Sequence, residues 1–119
     1  MRDVVNILGV NIDNITAAAA LDKAEQLVKS GGVSVIYTPN PEIVMAAYED
    51  SEFCGVLNSA DMCVPDGIGV VYGSRIIGKP LPERVAGFDL SMGLMDRMSK
   101  FGGRVFLFGS KPGVAGEAA

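Results

Sequence analysis

The chain has 119 residues, enough for one modest domain with a single core. Nearly half of it is apolar and its 15 glycines are spread along its length, which excludes a disordered polymer and fits many tight strand–helix turns. A net charge of −4 gives no electrostatic reason to bind nucleic acid, and no apolar run approaches a membrane span.

No signal peptide is expected behind Met1-Arg2-Asp3. Val4 to Leu8 and Val10 to Ile15 read as two short strands meeting at Gly9, a small β-element that opens the domain. Thr16 to Lys29 is expected to be a helix, with Ala17, Leu21, Ala24 and Val28 at helical spacing and Gly31-Gly32 ending it. Val33 to Tyr37 is a nearly continuous apolar run, the pattern of a strand buried on both faces of a parallel sheet. In Thr38-Pro39-Asn40-Pro41-Glu42, Asn40 suits an N-cap, Pro41 the first helical position and Glu42 the helix dipole. Ile43, Val44, Ala47 and Tyr48 supply that helix's buried face, and Ser51 is expected to cap a second short helix through Phe53, Val56 and Leu57.

Asp61 to Pro65 follows as a strand, Gly67 to Ile77 as a helix, and Gly78 to Pro82 as a loop with two prolines. Phe88 to Phe101 reads as an amphipathic helix stopped by Gly102-Gly103, Arg104 to Phe108 as a further buried strand, and Gly109 to Gly113 as a turn. This alternation predicts an α/β, Rossmann-like parallel sheet with helices on both faces, forming one domain over residues 1–119. The stretch from Gly113 to Ala119 reads as the first turns of a helix with no cap and no stop, so the chain is expected to be the N-terminal portion of a longer protein.

Ligands of such sheets bind outside the carboxyl ends of the strands. Three loops leave those ends, Thr38 to Asn40, Pro65 to Gly69 and Gly109 to Gly113, and all are rich in Gly, Pro, Asn or Asp. None is a strict nucleotide fingerprint: Tyr72 stands where GxGxxG needs its third glycine, and Gly109 to Gly113 lacks the GK[ST] of a P-loop. Helix N-termini can still hold a diphosphate through backbone N–H groups.

Asp66 has two readings: a cap for the helix that follows it, or a general base, in a chain that contains no histidine. Thr38 either donates to a phosphate oxygen or satisfies the turn before Pro39, and Asn40 is a cap first and a ligand contact second. Arg75, Lys79 and Arg84 form a local basic segment, ordinarily a solvated face, in which Arg84 is placed to meet a diphosphate with a forked donor. Glu49, Asp50 and Glu52 read as an exposed acidic corner. No DxD pair is present, so nothing visible calls for a metal or another cofactor. Cys54 and Cys63 form no CxxC and read as small buried hydrophobes of a reducing cytosol.

Three stretches together, Thr38-Pro39-Asn40-Pro41-Glu42-Ile43-Val44, Pro65-Asp66-Gly67-Ile68-Gly69-Val70-Val71 and Lys79-Pro80-Leu81-Pro82-Glu83-Arg84-Val85-Ala86-Gly87-Phe88-Asp89-Leu90, closely resemble the WecG/TagA/CpsF glycosyltransferases. Phe106-Leu107-Phe108-Gly109 with Pro112-Gly113-Val114-Ala115 is similar to the same family, so the resemblance covers nearly the whole chain. It implies an inverting, metal-independent transferase. TagA-like members move N-acetylmannosamine from UDP onto the GlcNAc of undecaprenyl-diphosphate-GlcNAc, which makes the linkage unit of wall teichoic acid.

On that resemblance Asp66 is the base that deprotonates the acceptor hydroxyl, Thr38 and Asn40 lie in the donor pocket, and Arg84 helps bind the active-site ligands. Gly67 and Gly109, in the two glycine-bearing loops, complete the candidate substrate-binding set. Family members are about twice as long, with a second α/β portion and a basic C-terminal appendage that docks on the inner face of the membrane, and they can self-associate. A chain of this length alone is expected to have little or no transferase activity. Two alternatives stand beside this reading: a WecG-like enzyme using the uronic acid form of the donor, and a non-catalytic nucleotide-sugar-binding domain.

Overall fold

A computed structural model describes residues 2–119. The chain opens with a hairpin of β1 (Val4–Ile7) and β2 (Val10–Asp13), antiparallel, with Val5 opposite Ile12 and Ile7 opposite Val10. Leu8 and Gly9 make its two-residue turn, both with positive φ (50° and 98°), which gives the twist such a short loop needs. Thr16 caps α1 (Ala17–Lys29) by accepting the Ala19 N–H at 3.2 Å. The buried face of α1 is Ala20 and Ala24, while Ala17 and Val28 of the expected stripe are exposed.

Next come β3 (Ile36–Tyr37), α2 (Pro41–Glu49), α3 (Ser51–Asn58), β4 (Met62–Cys63), α4 (Ile68–Ile76), α5 (Gly87–Phe101) and α6 (Val114–Ala118). Asn40 caps α2 as its sequence predicts, its Oδ1 accepting the Ile43 N–H at 2.9 Å, with Pro41 in the first turn. Ser51 does not cap α3. Asp50 does, taking the Glu52 and Phe53 N–H groups on one oxygen at 3.1 Å each, because its extended backbone both ends α2 and starts α3. Tyr48 and Val56 face outward, leaving Val44, Ala47 and Leu57 as the fully buried residues of this pair of helices.

β3 and β4 pair in parallel, Ile36 with Met62 and Tyr37 with Cys63. They form a two-stranded sheet, and the hairpin is a second one, so the fold is mixed α/β with a far smaller parallel sheet than the apolar runs predict. Val33 is 94% exposed and lies outside β3. Arg104 to Phe108, expected as a buried strand, has no strand structure, and Phe106 and Phe108 are 87% and 92% exposed. A strand exists through its ladder to a neighbour, and no backbone hydrogen bond reaches residues 104–108 from any other described segment.

Successive residues of a strand point to opposite faces, and β4 uses this to divide the interior. Cys63 packs with the hairpin, α2 and α3, together with Val70 of α4 and Leu81. Met62 and Val64 pack on the other face with Ala20 and Ala24 of α1, Val85, and Leu90 of α5. The parallel pair is therefore covered on both sides, as expected for this class.

Asp13 joins the two sheets. It is buried, accepts the Cys63 N–H at 2.7 Å, and takes both Nε (3.1 Å) and a terminal nitrogen (2.8 Å) of Arg2. Arg2 also donates to the Ala60 carbonyl at 2.7 Å, and Asp13 beside it raises its pKa above the ordinary value. Cys63 is a free thiol with no exposed surface, and Cys54 is free and partly buried. No described helix is long and apolar enough to cross a membrane.

Two measurements check this account. Asp13→Ala leaves the Cys63 N–H without its acceptor in the core, and a loss of about 2–4 kcal/mol is expected in urea unfolding. Burial pushes the Cys63 thiol from 9.0 up to about 12, so the folded state holds the neutral form while the unfolded chain ionises near its ordinary value. Stability is therefore expected to fall as pH rises from 9 toward 12, and Cys63→Ala flattens that part of the profile.

Candidate active site

The carboxyl ends of β3 and β4 continue as a zipper of loops. The Val64 N–H donates to Tyr37 O at 3.0 Å and the Asp66 N–H to Pro39 O at 3.1 Å, which aligns the Thr38 and Asp66 loops. The Val85 N–H then donates to Pro65 O at 2.8 Å, laying the segment after the second proline pair alongside them. The Thr38 and Asp66 loops thus meet at one rim, as the strand-end argument predicts, but the third stretch there is the Val85 segment and not the expected Gly109 to Gly113 loop.

Asp66 stands at the centre of that rim, its side chain 28% exposed. It does not cap α4, whose N-cap is Gly67 with φ 138° and no side-chain hydrogen bond. Its Oδ2 instead accepts the N–H of Gly87, the first residue of α5, at 3.0 Å. Its Oδ1 lies 3.5 Å from a terminal nitrogen of Arg84, a long contact to a side chain 57% exposed. One oxygen is therefore fixed by the backbone and the other faces a mobile cation at the surface.

Gly67 is required where it stands. Its φ of 138° is costly for a residue with a Cβ, and a Cβ there would meet the Pro41 ring at 3.0 Å. Asn40 spends its side-chain oxygen on the α2 cap, next to Gly67. Thr38 lies against Gly87, whose absent Cβ would come 2.8 Å from the Thr38 hydroxyl. Gly109 is not brought to this group: it sits in the exposed segment after residue 108, and no hydrogen bond ties it to the rim. Among the other basic residues, Arg75 lies over the Tyr72 ring at 5.5 Å and Lys79 is exposed, in keeping with a solvated face.

Residues that sequence reasoning passed over hold the loop carrying Arg84. The fully buried Ser74 hydroxyl donates to Val71 O at 2.5 Å and accepts the Leu81 N–H at 2.8 Å. Glu83 reaches across to α1 and accepts the Ala17 N–H at 2.7 Å. A serine seven residues before a Leu-Pro pair gives no local sign of such a bond, and Glu83 reads as one more surface charge.

Two shallow depressions are lined in part by residues of the rim, and Asp66 lines neither. One, of about 340 Å³, runs from Thr38 and Pro39 along Phe53 and Leu57, and the other, of about 220 Å³, lies between Arg84, Asp89 and the start of α1.

The rim thus sets a partly buried carboxylate beside an arginine on a small mixed α/β scaffold. The family model of the glycosyl transferase WecG/TagA/CpsF family matches residues 5–119, and the chain belongs to that family. It is 46% identical over 82 residues to the N-acetylglucosaminyldiphosphoundecaprenol N-acetyl-beta-D-mannosaminyltransferase of Bacillus spizizenii, covering 69% of this chain and 32% of that protein. The enzyme of the same name from Bacillus subtilis is 43% identical over 81 residues, 68% of this chain and 32% of its own length. A Staphylococcus aureus enzyme of that name is 34% identical over 121 residues, 97% of this chain and 46% of its own. The chain spans between a third and a half of the length of these relatives.

The buried latch of the Arg84 loop can be tested directly. Ser74→Ala leaves the buried Leu81 N–H unpaired, and a loss of about 1–3 kcal/mol is expected in denaturant unfolding, with faster amide exchange at Leu81.

Proposed function

We propose that this chain forms the base-bearing part of a transferase that moves N-acetylmannosamine from UDP to the GlcNAc of a polyprenyl-diphosphate-linked acceptor at the inner face of the cell membrane. The observation that carries the reading is the Asp66 carboxylate, clamped on one side and open on the other, beside Arg84 at the end of the zippered loops. The activity named for the relatives supports the transferred sugar and the acceptor.

In this reading Asp66 Oδ1 accepts the proton of the acceptor hydroxyl as its oxygen attacks the anomeric carbon of the donor. The carbon–oxygen bond to the nucleotide breaks in the same step, its electron pair leaving with the UDP phosphate. Attack opposite the leaving group inverts the anomeric centre. Arg84 lies where a cation can offset the charge that develops on the diphosphate, while Oδ2, held by Gly87, keeps the carboxylate aimed. Thr38 and Asn40 border the donor side, with Gly67 giving the backbone room for close approach.

Asp66→Asn tests this in the intact gene product, since an amide oxygen keeps the Gly87 bond while the basic oxygen is lost. Turnover with UDP-N-acetylmannosamine and a lipid-diphosphate-GlcNAc acceptor is expected to fall about 10²–10⁴-fold, with UDP affinity changed only a few-fold. Unchanged turnover in the variant would overturn the role of Asp66, and UDP binding without turnover in the parent would favour a non-catalytic binding domain.

A further inference from the structure

Gly87 is in contact with two residues of the transfer reading, Asp66 and Thr38. Its N–H holds Asp66 Oδ2 at 3.0 Å. A Cβ built on it would lie 2.8 Å from Thr38 Oγ1 and 3.1 Å from both Thr38 Cβ and Cγ2. Its φ is outside the left-handed region, so the backbone does not call for glycine at this position. The space taken by Thr38 does.

The Thr38 backbone is held in place. It lies between two anchored neighbours, with Tyr37 O accepting the Val64 N–H and Pro39 O accepting the Asp66 N–H, and its β-branched side chain has few rotamers. Gly93 on the same helix is a useful contrast. A Cβ there would approach only the end of the Leu21 side chain, at 3.0 Å, which can turn aside.

We propose that Gly87 is a positioning residue of the transfer site: its N–H orients the Asp66 base, and its missing side chain admits the Thr38 hydroxyl. The distance between the acceptor-side carboxylate and the donor-side hydroxyl is then set by one residue. This rests on the transferase reading above. A methyl group at position 87 pushes these two groups apart, and a spacing error between two reactants acts on the rate of the step more than on the binding of either.

The experiment compares Gly87→Ala, Gly93→Ala and the double variant Gly87→Ala/Thr38→Ser in the intact gene product. Serine keeps the hydroxyl that stands 2.8 Å from the new Cβ but removes the methyl at 3.1 Å, so the unbranched side chain can turn to relieve the contact. Gly87→Ala is expected to lower kcat about 30-fold or more with donor KM within about threefold, Gly93→Ala to stay within about twofold, and the double variant to recover about tenfold over Gly87→Ala. A Gly87→Ala enzyme as active as Gly93→Ala, a loss confined to KM, or no recovery in the double variant would overturn the proposal.

If Gly87→Ala does not fold, the double variant decides: refolding with activity supports the clash, and continued failure overturns it. If the parent enzyme shows no transfer of this sugar, the transferase reading fails separately. The positioning is then read from NMR, where the Thr38 methyl and Asp66 carboxyl resonances move in Gly87→Ala and not in Gly93→Ala. Resonances that stay in place in both variants would overturn the positioning itself.

Discussion

The buried carboxylate of Asp13 is the joint on which the rest of the structure hangs. It ends β2, and through one oxygen it receives the N–H of Cys63 in the parallel sheet. Arg2 closes over it with two donors and spends a third on Ala60, just before β4. An ion pair placed in this way is a weak source of net stability, since taking both charges from water offsets most of their attraction. Its value lies in direction. Apolar packing alone would let the hairpin slide over the sheet, whereas two forked donors and one amide accept a single alignment.

That alignment propagates to the rim. With the hairpin fixed against one face of β4, the two apolar clusters sort themselves by the alternation of Met62 and Cys63. β4 then runs on as Val64 and Pro65, both buried, and delivers Asp66 at the point where regular pairing stops. Beyond it the backbone has no strand to meet, and side chains take over the hydrogen bonding. The same carboxylate that ends the strand also starts α5, so strand, loop and helix are tied at one residue.

Much of this was legible in the sequence because it is local. Thr16 and Asn40 sit three residues before the amides they cap, and Gly9 lies within the tight turn it permits. The Thr38 and Asp66 loops could be paired in advance from the rule that ligands gather at strand ends. The partner of Asp66 could not, since the amide it holds lies 21 residues further on and no periodicity marks it. Ser74 and Glu83 were missed for the same reason: their bonds reach Leu81 and Ala17 across loops whose path is a tertiary matter. The apolar run of residues 104–108 shows the other limit. Hydrophobicity states a demand for burial without saying which surface meets it, and no other described segment hydrogen-bonds to those residues.

The bond between Asp66 and α5 ties the order of one carboxylate to the integrity of a helix. α5 has 15 residues of which only Leu90 is fully buried, and it is held to α1 by the partial packing of Leu94, by Gly93 lying against Leu21, by the pairing of Arg97 with Asp22 and Glu25, and by Lys29 over the Phe101 ring. A helix with one fully buried side chain in 15 residues belongs to the part of a protein that opens early. When it frays from its N-terminus, the Gly87 amide leaves and the carboxylate swings free while the interior around Ile12 and Cys63 stays closed. Warming would then release the Asp66 carboxylate from its backbone partner before it melts the protein.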